Sequence, residues 1–187
     1  RTHARRDGSD WVINGSKMWI TNGNVAQVAI IWARTDEGVS GFIVPTDTPG
    51  FEAHEIKHKA SLRASVTSEL SLDDVRVPDA YRLPEVSSMR GPLSCLNEAR
   101  YGIAWGVVGA ARACFEAALD YSLERHQFGK PIGSFQLTQR KLVEMMIAVN
   151  RGMLVAHHLR RRRDAGTLTP HPISSGKLDN TRHALAV

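Results

Sequence analysis

The spacing of hydrophobic residues changes about halfway along the chain. Residues 1–88 contain short apolar runs separated by turn-forming residues, a pattern typical of β-strands. From about residue 92 onward, apolar residues recur every three or four positions, which indicates amphipathic helices. We therefore predict an α+β fold, in which a β-barrel or sandwich domain at residues 1–88 is followed by an incomplete antiparallel helical bundle at residues 89–187.

Turn-forming residues divide the first part of the sequence into short strands. Asn14-Gly15 stands between two β-prone runs and predicts a hairpin turn. Asp73-Asp74 predicts a second turn, because aspartate side chains favour turn backbones. The same pattern predicts strands at residues 25–33, 39–44, 51–56 and 69–72.

The second part of the sequence predicts two long helices and part of a third. The first helix is expected to run to about Gln127, and Ser134 is expected to cap the second, which ends near Gly166. The third is expected to begin around Ile173 and to continue to the end of the sequence. Because two helices and part of a third do not close a bundle, we expect these residues to belong to a longer chain.

Cysteine content and hydropathy limit the possible classes of protein. The 187 residues include only two cysteines, Cys95 and Cys114, which form no CxxC pair. A disulfide scaffold is therefore excluded, and a reducing compartment fits best. No apolar run approaches the roughly 20 residues of a membrane-spanning helix, so we expect no membrane association.

Basic residues exceed acidic ones and give a formal net charge of +5. Much of the excess lies at residues 1–6 and 160–163, and it admits a basic nucleic-acid-binding module as one alternative function. The second run lies at the end of a predicted helix, where cations complement the helix dipole. No aromatic residues that could stack on bases are interleaved with the arginines. We expect both runs to be solvated, with no nucleic acid as a partner.

The segment His-Glu-Ile-Lys-His at residues 54–58 matches the HExxH pattern of zinc peptidases and gives a second alternative, a zinc hydrolase. That site requires a helix, whereas this segment follows Pro49-Gly50 and lies among predicted strands. In a strand, His54 and His58 would stand roughly 13 Å apart, which is too far to share one zinc ion. We therefore predict a strand at this segment and no metal site.

Two groups of residues are candidates for ligand contacts. On a strand, Trp19 and Thr21 face one side and Ile20 the other, so an aromatic ring and a hydroxyl can meet a planar heterocycle together. The alternative is a tryptophan of a half-buried sheet. Asn97 and Arg100 share a face near the start of a predicted helix, where anions are attracted. The alternative there is a surface arginine beside an asparagine.

Three collinear segments resemble acyl-CoA dehydrogenases. They are NGSKMWITNG at residues 14–23, KASLRASVTSELSLDDVRVP at residues 59–78 and LERHQFGKPIGSFQLTQRKLVEM at residues 123–145. A further segment, CLNEARYGIAWGVVGA at residues 95–110, is most similar to the glutaryl-CoA branch of that family. The matches span nearly the whole chain, which is identified on this basis as a member of the family, covering its middle β domain and the first part of its C-terminal helical domain.

The resemblance implies that the chain contacts FAD at two places. Trp19, Ile20 and Thr21 would lie beside the isoalloxazine ring, with the Thr21 hydroxyl at the hydride-accepting N5. The other contacts would be made to the FAD of a neighbouring subunit by Arg125 and Gln136, with Phe128 nearby. The fixed fork of donors on an arginine suits the pyrophosphate of the cofactor.

The resemblance also implies a site for the acyl-CoA substrate. Asn97 and Arg100 would face the pantetheine and adenylate side of that site. The complete segment implied to line the thioester is Leu93, Ser94, Cys95, Leu96, Asn97, Glu98, Ala99 and Arg100.

The implied reaction is a flavin-dependent dehydrogenation of a thioester. A carboxylate removes the α-proton while the β-hydride passes to flavin N5, and glutaryl-CoA then loses CO2 to give crotonyl-CoA. Electrons would leave through an electron-transfer flavoprotein, and a homotetramer is expected. Another short-chain acyl-CoA is the alternative substrate. The resemblance implies a cytoplasmic protein if the source is bacterial and a mitochondrial matrix protein if it is eukaryotic.

Several parts of the implied active site are expected outside these residues. The glutamate that acts as general base is expected beyond Val187, so no residue of this chain is assigned a catalytic role, Glu98 included. The N-terminal helical domain, with further flavin contacts and an arginine for the glutaryl carboxylate, is expected upstream. We therefore expect these 187 residues alone to bind FAD weakly and not to turn over substrate.

Overall fold

The computed structural model describes residues 2–187, which form two compact units, one ending at Leu93 and the other spanning Ser94–Val187. The predicted basic run at the start of the chain is therefore described only from position 2, since Arg1 lies outside the described residues. The first unit is built from β-strands and the second from helices, which confirms the α+β class.

The first unit is a mixed sheet whose strands follow the spatial order β4-β3-β1-β2-β6-β5. All neighbouring strands are antiparallel except β1 and β3, which are parallel. The strands are β1 (His3–Asp7), β2 (Asp10–Thr21), β3 (Val28–Thr35), β4 (Gly38–Pro45), β5 (Phe51–Glu55) and β6 (Thr67–Pro78).

The sheet curves around one apolar core. Trp11 of β2 and Phe42 of β4 are separated by two strands in the sheet order, yet their ring centroids lie 5.4 Å apart. Both side chains are buried together with Ile13, Val44 and Leu70. Removal of this apolar area from water is the main stabilising contribution to the unit.

Two predicted turns are absent because strands continue through them. Asn14-Gly15 lies inside β2, where the pairing register with β6 shifts and Gly15 has φ +137°. Asp74 lies inside β6 with φ +48°. These residues supply left-handed backbone at irregularities within long strands instead of at hairpins. The hairpin before β2 turns at Gly8-Ser9, since Asp7 pairs with Asp10.

Gly8 has φ +62° and sits at the first central position of a two-residue turn, where only glycine is free of strain. A Cβ added there would meet nothing within 4 Å, so the cost of Gly8→Ala is conformational and not steric. We expect Gly8→Ala to lower the free energy of unfolding of the full-length protein by about 1–2 kcal/mol. The matched change Ser9→Ala should have an effect below about 0.5 kcal/mol. Urea denaturation measures both, and equal midpoints for the two variants would contradict the assignment of strain to Gly8.

The second unit contains α1 (Arg90–Glu124), a short hairpin of β7 (His126–Gln127) and β8 (Lys130–Pro131), α2 (Gln136–Asp164) and α3 (Pro170–Ala184). Three predictions about helix ends were wrong. Ser134 does not cap α2, because it lies in a 3-10 turn and its hydroxyl donates to the carbonyl of Pro131 at 2.7 Å. The third helix begins at Pro170, before Ile173, and ends at Ala184.

The described part of α1 includes a stretch apolar enough, by length and composition, to cross a membrane. The sequence-based statement that no apolar run approaches that length was therefore wrong for α1. Only 17% of that stretch is buried within the chain. Long helices inside a helical bundle have the same composition, so the stretch does not distinguish between the two environments.

The three helices are joined by one buried amide. The side-chain nitrogen of Asn180, on α3, donates to the carbonyl of Ala104 on α1 at 2.8 Å and to that of Gly152 on α2 at 3.1 Å. Asn180 is only 1% exposed. A Cβ on Gly152 would lie 2.8 Å from Val108, so glycine is needed for α1 and α2 to approach this closely. These contacts fix α1 close to the segment implied to bind substrate.

Candidate functional site

The sheet unit contains a concavity of about 400 Å³ beside Trp19, here called the Trp19 concavity. Trp19 has φ +63°, and the register of β2 against β6 shifts between Lys17 and Ile20. This irregularity leaves the indole 64% exposed instead of packed into the sheet. Within the described residues, the Trp19 side chain is thus exposed to solvent.

Trp19 and Thr21 line the same concavity, as their shared strand face predicted. Ile20 lines a different cavity, which Thr21 also borders. Within the described residues the Thr21 hydroxyl takes part in no hydrogen bond, and the side chain is exposed. An indole surface and a hydroxyl therefore face solvent side by side, as a planar heterocyclic ligand would require.

The opposite wall of the Trp19 concavity is the loop between β5 and β6. Its backbone is held by Lys59, whose ammonium donates to the carbonyl of Leu62 at 2.9 Å and to the hydroxyl of Thr67 at 2.7 Å, and also to the carbonyl of Ser65. Thr67 is paired with Thr21 across the two strands. Lys59 thus connects the loop to β6, the strand that pairs with β2 at Thr21.

Sequence reasoning assigned no site residue to this loop. Its residues belong to the quoted segment at residues 59–78, for which the resemblance implied no site residue. No hydrophobic period indicates that the Lys59 ammonium bonds several groups of this loop.

The hairpin of β7 and β8 presents Phe128 at its tip. Phe128 has φ +53° and Gly129 has φ +77°, the left-handed pair of a two-residue hairpin turn. Phe128 is 92% exposed, and its ring meets that of Phe135 edge to face, at a centroid distance of 6.2 Å. An aromatic ring held this far into solvent by a hairpin is suited to contact another molecule.

Positive charge surrounds this hairpin. Arg125 follows α1 directly, with its backbone anchored through the carbonyl of Tyr121 at 2.9 Å and the amide of Ile132 at 2.8 Å. Its side chain is exposed and forms no ion pair within the described residues. Gln136 is exposed at the first turn of α2, which contains no acidic residue. An arginine and the positive end of a helix dipole therefore lie in one short stretch of chain, an arrangement that favours anions.

The segment implied to bind substrate, residues 93–100, lies within the first three turns of α1. The guanidinium of Arg100 donates to the side-chain oxygen of Asn97 at 2.9 Å, so the predicted shared face is confirmed. α1 begins at Arg90, so Asn97 lies in its second turn, beyond the four free amides of the first turn.

Two residues of α1, Glu98 and Tyr101, are contacted by Arg163 of α2. Arg163 pairs with Glu98 at 2.9 Å, and its guanidinium carbon lies 4.7 Å from the ring centroid of Tyr101. Glu98 is 65% exposed, so the ion pair contributes little stability in water. The ion pair does fix the position of the Glu98 carboxylate, which it holds toward α2. Cys95 is exposed on the same segment.

The HExxH segment is not helical. His54 lies in β5, as predicted, where its ring faces Glu52 at 3.3 Å. His58 lies beyond the end of the strand with φ +59°. Within the described residues, no group of three or more histidine, cysteine or acidic side chains is arranged to hold a metal ion. The helix required for a zinc hydrolase is therefore absent from this segment.

Three of the four arginines at residues 160–163 have partners within the helical unit. Arg160 faces Asp164 at 3.5 Å, and Arg162 donates to the carbonyl of Thr167 at 2.9 Å. Arg163 pairs with Glu98, as above. The acidic partners Asp164 and Glu98 reduce the charge that a nucleic acid would meet.

The family models that match this sequence divide it at nearly the same place as the two structural units. The profile of the acyl-CoA dehydrogenase middle domain matches residues 1–75, and that of the acyl-CoA dehydrogenase C-terminal domain matches residues 89–187. The chain therefore belongs to the acyl-CoA dehydrogenase family.

The chain is also similar in sequence to individual members of this family. The chain is 39% identical over 172 residues to glutaryl-CoA dehydrogenase of Desulfococcus multivorans, covering 88% of this chain and 44% of the relative. It is 34% identical over 172 residues to the mitochondrial short/branched chain specific acyl-CoA dehydrogenase of Rattus norvegicus, covering 89% of this chain and 40% of the relative.

Among solved structures, a glutaryl-CoA dehydrogenase from Mycobacterium smegmatis in complex with FADH2 superposes with a TM-score of 0.94 at 57% sequence identity. The match covers 100% of this chain and 48% of that structure. The chain thus spans somewhat less than half the length of the relatives it matches.

Proposed function

We propose that the full-length protein containing this chain is an FAD-dependent acyl-CoA dehydrogenase that oxidises and decarboxylates glutaryl-CoA to crotonyl-CoA. Family membership supports the dehydrogenase class. The glutaryl-CoA dehydrogenases at 39% and 57% identity support the substrate. The observation that carries the site is the Trp19 concavity, where an exposed indole and the Thr21 hydroxyl lie together.

The residues of the Trp19 concavity fit a flavin. The relative from Mycobacterium smegmatis was solved with FADH2. In this chain, the exposed Trp19 surface offers a flat apolar contact and Thr21 offers a hydroxyl donor, which are the groups an isoalloxazine ring edge requires. When bound, FAD supplies the hydride acceptor of the reaction.

The proposed cofactor-binding residues of this chain have distinct roles. Thr21 donates a hydrogen bond to flavin N5, and Trp19 and Ile20 flank the ring. Arg125 binds the pyrophosphate of a neighbouring subunit's FAD, with Gln136 and Phe128 beside it. Exposure of Arg125 and of the Phe128 tip supports a contact made to another subunit.

The thioester is proposed to lie along α1 at residues 93–100. Asn97 and Arg100 form one hydrogen-bonded unit that orients the guanidinium toward the pantetheine and adenylate. A carboxylate removes the α-proton as the β-hydride leaves. Glu98 is not proposed for this task, since its carboxylate is engaged by Arg163. We propose that the base and an arginine for the glutaryl carboxylate belong to other parts of the full-length protein.

The proposal extends to partners and location. An electron-transfer flavoprotein would reoxidise the cofactor, and a homotetramer would bring Arg125 to a neighbouring FAD. We propose a cytoplasmic location in a bacterial source and a mitochondrial matrix location in a eukaryotic one.

Substrate choice is tested with a panel of thioesters on the full-length protein, using an artificial electron acceptor. We expect kcat/KM for glutaryl-CoA to exceed that for butyryl-CoA and 2-methylbutyryl-CoA by at least about tenfold, because a site built for a carboxylate is left unpaired by substrates that lack it. The alternative is a dehydrogenase of another short-chain acyl-CoA, which the rat relative at 34% identity favours. A higher kcat/KM for butyryl-CoA or 2-methylbutyryl-CoA would establish that alternative and exclude glutaryl-CoA.

A further inference from the structure

The loop between β5 and β6 forms one wall of the Trp19 concavity, and backbone hydrogen bonds hold its two ends. At the start of the loop, the amide of Ile56 donates to the carbonyl of Thr67 at 2.8 Å. At its end, the amide of Asn22 donates to the carbonyl of Val66 at 2.9 Å. Asn22 directly follows β2, so the loop rejoins the sheet at the end of the strand that carries the proposed flavin contacts.

The middle of this loop contains two residues with left-handed backbone. His58 has φ +59° and Leu62 has φ +49°, although neither is a glycine. Such conformations are unfavourable for residues with a Cβ and persist only where the surrounding structure determines them. The amide of Ser65 donates to the carbonyl of Leu62 at 3.0 Å, which closes one turn of the loop. A group that bonds this turn to the sheet would therefore help the loop to keep its strained shape.

Lys59 is such a group. Its ammonium has three donors, and all three are used: by the carbonyl of Leu62 at 2.9 Å, by the hydroxyl of Thr67 at 2.7 Å, and by the carbonyl of Ser65. The Thr67 hydroxyl in turn donates to the carbonyl of Ser65 at 3.1 Å. Thr67 is buried within β6. One side chain thus bonds the turn at Leu62 to a buried position of the sheet.

We propose that Lys59 is a positioning residue of the cofactor site: its ammonium holds the β5–β6 loop as a fixed wall of the Trp19 concavity, where the flavin ring is received. This inference rests on the proposed function, since it takes the flavin to occupy that concavity. Lys59 acts through the loop, because its three donors are used there. A wall that is fixed before binding increases affinity, since the cofactor does not have to order the loop.

Titration of the full-length apoprotein with FAD tests this role in the variant Lys59→Met. Methionine keeps an unbranched side chain and removes the three donors. The loop would then have to be ordered when FAD binds, so the Kd for FAD should rise by about tenfold. Lys57→Met is the matched control, since it removes an exposed ammonium from the same loop at a residue that does not line the concavity. It should change the Kd by less than about twofold.

Hydrogen–deuterium exchange measures the loop itself. Backbone amides at residues 60–65 should exchange about tenfold faster in the Lys59→Met apoprotein than in the unaltered apoprotein, because the turn opens once its bonds to the sheet are gone. Amides of β4, at the other edge of the sheet from β5, should exchange at the same rate in both. A loss of overall stability would instead accelerate exchange in both places.

Gly8→Ala separates the positioning role from a general loss of stability. It strains the same unit at a turn that does not line the concavity, so it should leave the Kd for FAD within about twofold of the unaltered protein. The visible absorption spectrum of bound FAD should be shifted in Lys59→Met and unchanged in Gly8→Ala, since only the first variant alters the surroundings of the ring.

Three results would overturn the proposal. A Kd for FAD in Lys59→Met equal to that of the unaltered protein would mean that the order of the loop does not contribute to binding. Unchanged exchange at residues 60–65 would mean that the ammonium does not hold the loop. An equal rise of the Kd in Gly8→Ala would reduce the effect to overall stability. An unaltered protein that takes up no FAD would instead reject the proposed function, and this inference with it, so the unaltered protein tells the two failures apart.

Discussion

The variant Arg125→Ala of the full-length protein is expected to lose most of its flavin during purification. Arg125 is exposed at the end of α1, forms no ion pair within the described residues, and precedes the Phe128 hairpin. A charge-assisted contact to the FAD pyrophosphate contributes about 1.5–3 kcal/mol, so its loss should weaken FAD binding by about 10- to 100-fold. The ratio of flavin to protein absorbance measures this directly.

The control for Arg125 is Arg140→Ala. Arg140 is also an exposed arginine of the helical unit, but it pairs with Glu144 of its own helix at 2.9 Å. This exposed pair is worth a few tenths of a kcal/mol, so the control should retain its flavin. Full flavin content in Arg125→Ala, or equal loss in both variants, would remove Arg125 from the cofactor site.

The variant Thr21→Val is expected to keep its flavin but to reduce it more slowly, by at least about tenfold. Valine preserves the branched shape at a strand position and removes only the hydroxyl. A hydrogen bond to N5 strengthens as that atom gains charge, so it stabilises the transition state more than bound substrate. Stopped-flow reduction by glutaryl-CoA measures the rate.

Thr21→Ser is the matched control for this hydroxyl. It restores the donor and removes a methyl group, so the reduction rate should return to within about threefold of the unaltered protein. If Thr21→Val reduced at the normal rate, or if Thr21→Ser were as slow as Thr21→Val, the hydroxyl could not be the group that acts at N5.

Hydrophobic spacing predicted the class of fold and most element positions, because both units bury apolar residues at a regular period. The strand pattern at residues 39–44 and 51–56 became β4 and β5 with small changes at their ends. The alternation of Trp19 and Thr21 predicted a shared face, and both residues border one concavity.

The errors lie where local signals competed with long-range pairing. Asn14-Gly15 has the composition of a hairpin, but β6 pairs with β2 on both sides of it, so the residues become an irregularity within one strand. Ser134 has the composition of a helix cap, but its hydroxyl is taken by Pro131. A single sequence does not contain the partner that decides between such outcomes.

One feature of the candidate site was outside the reach of sequence reasoning. Lys59 belongs to the Trp19 concavity because the β5–β6 loop folds back over its ammonium, which no periodic pattern indicates.

The most direct test of the proposed function is anaerobic addition of glutaryl-CoA to the purified full-length protein. Our account predicts that the protein contains FAD, that the visible absorbance of the oxidised flavin is lost within the mixing experiment, and that crotonyl-CoA and CO2 are recovered in equal amounts. Retention of the oxidised flavin spectrum in the presence of glutaryl-CoA, or purification of a folded protein that neither contains nor takes up FAD, would contradict it.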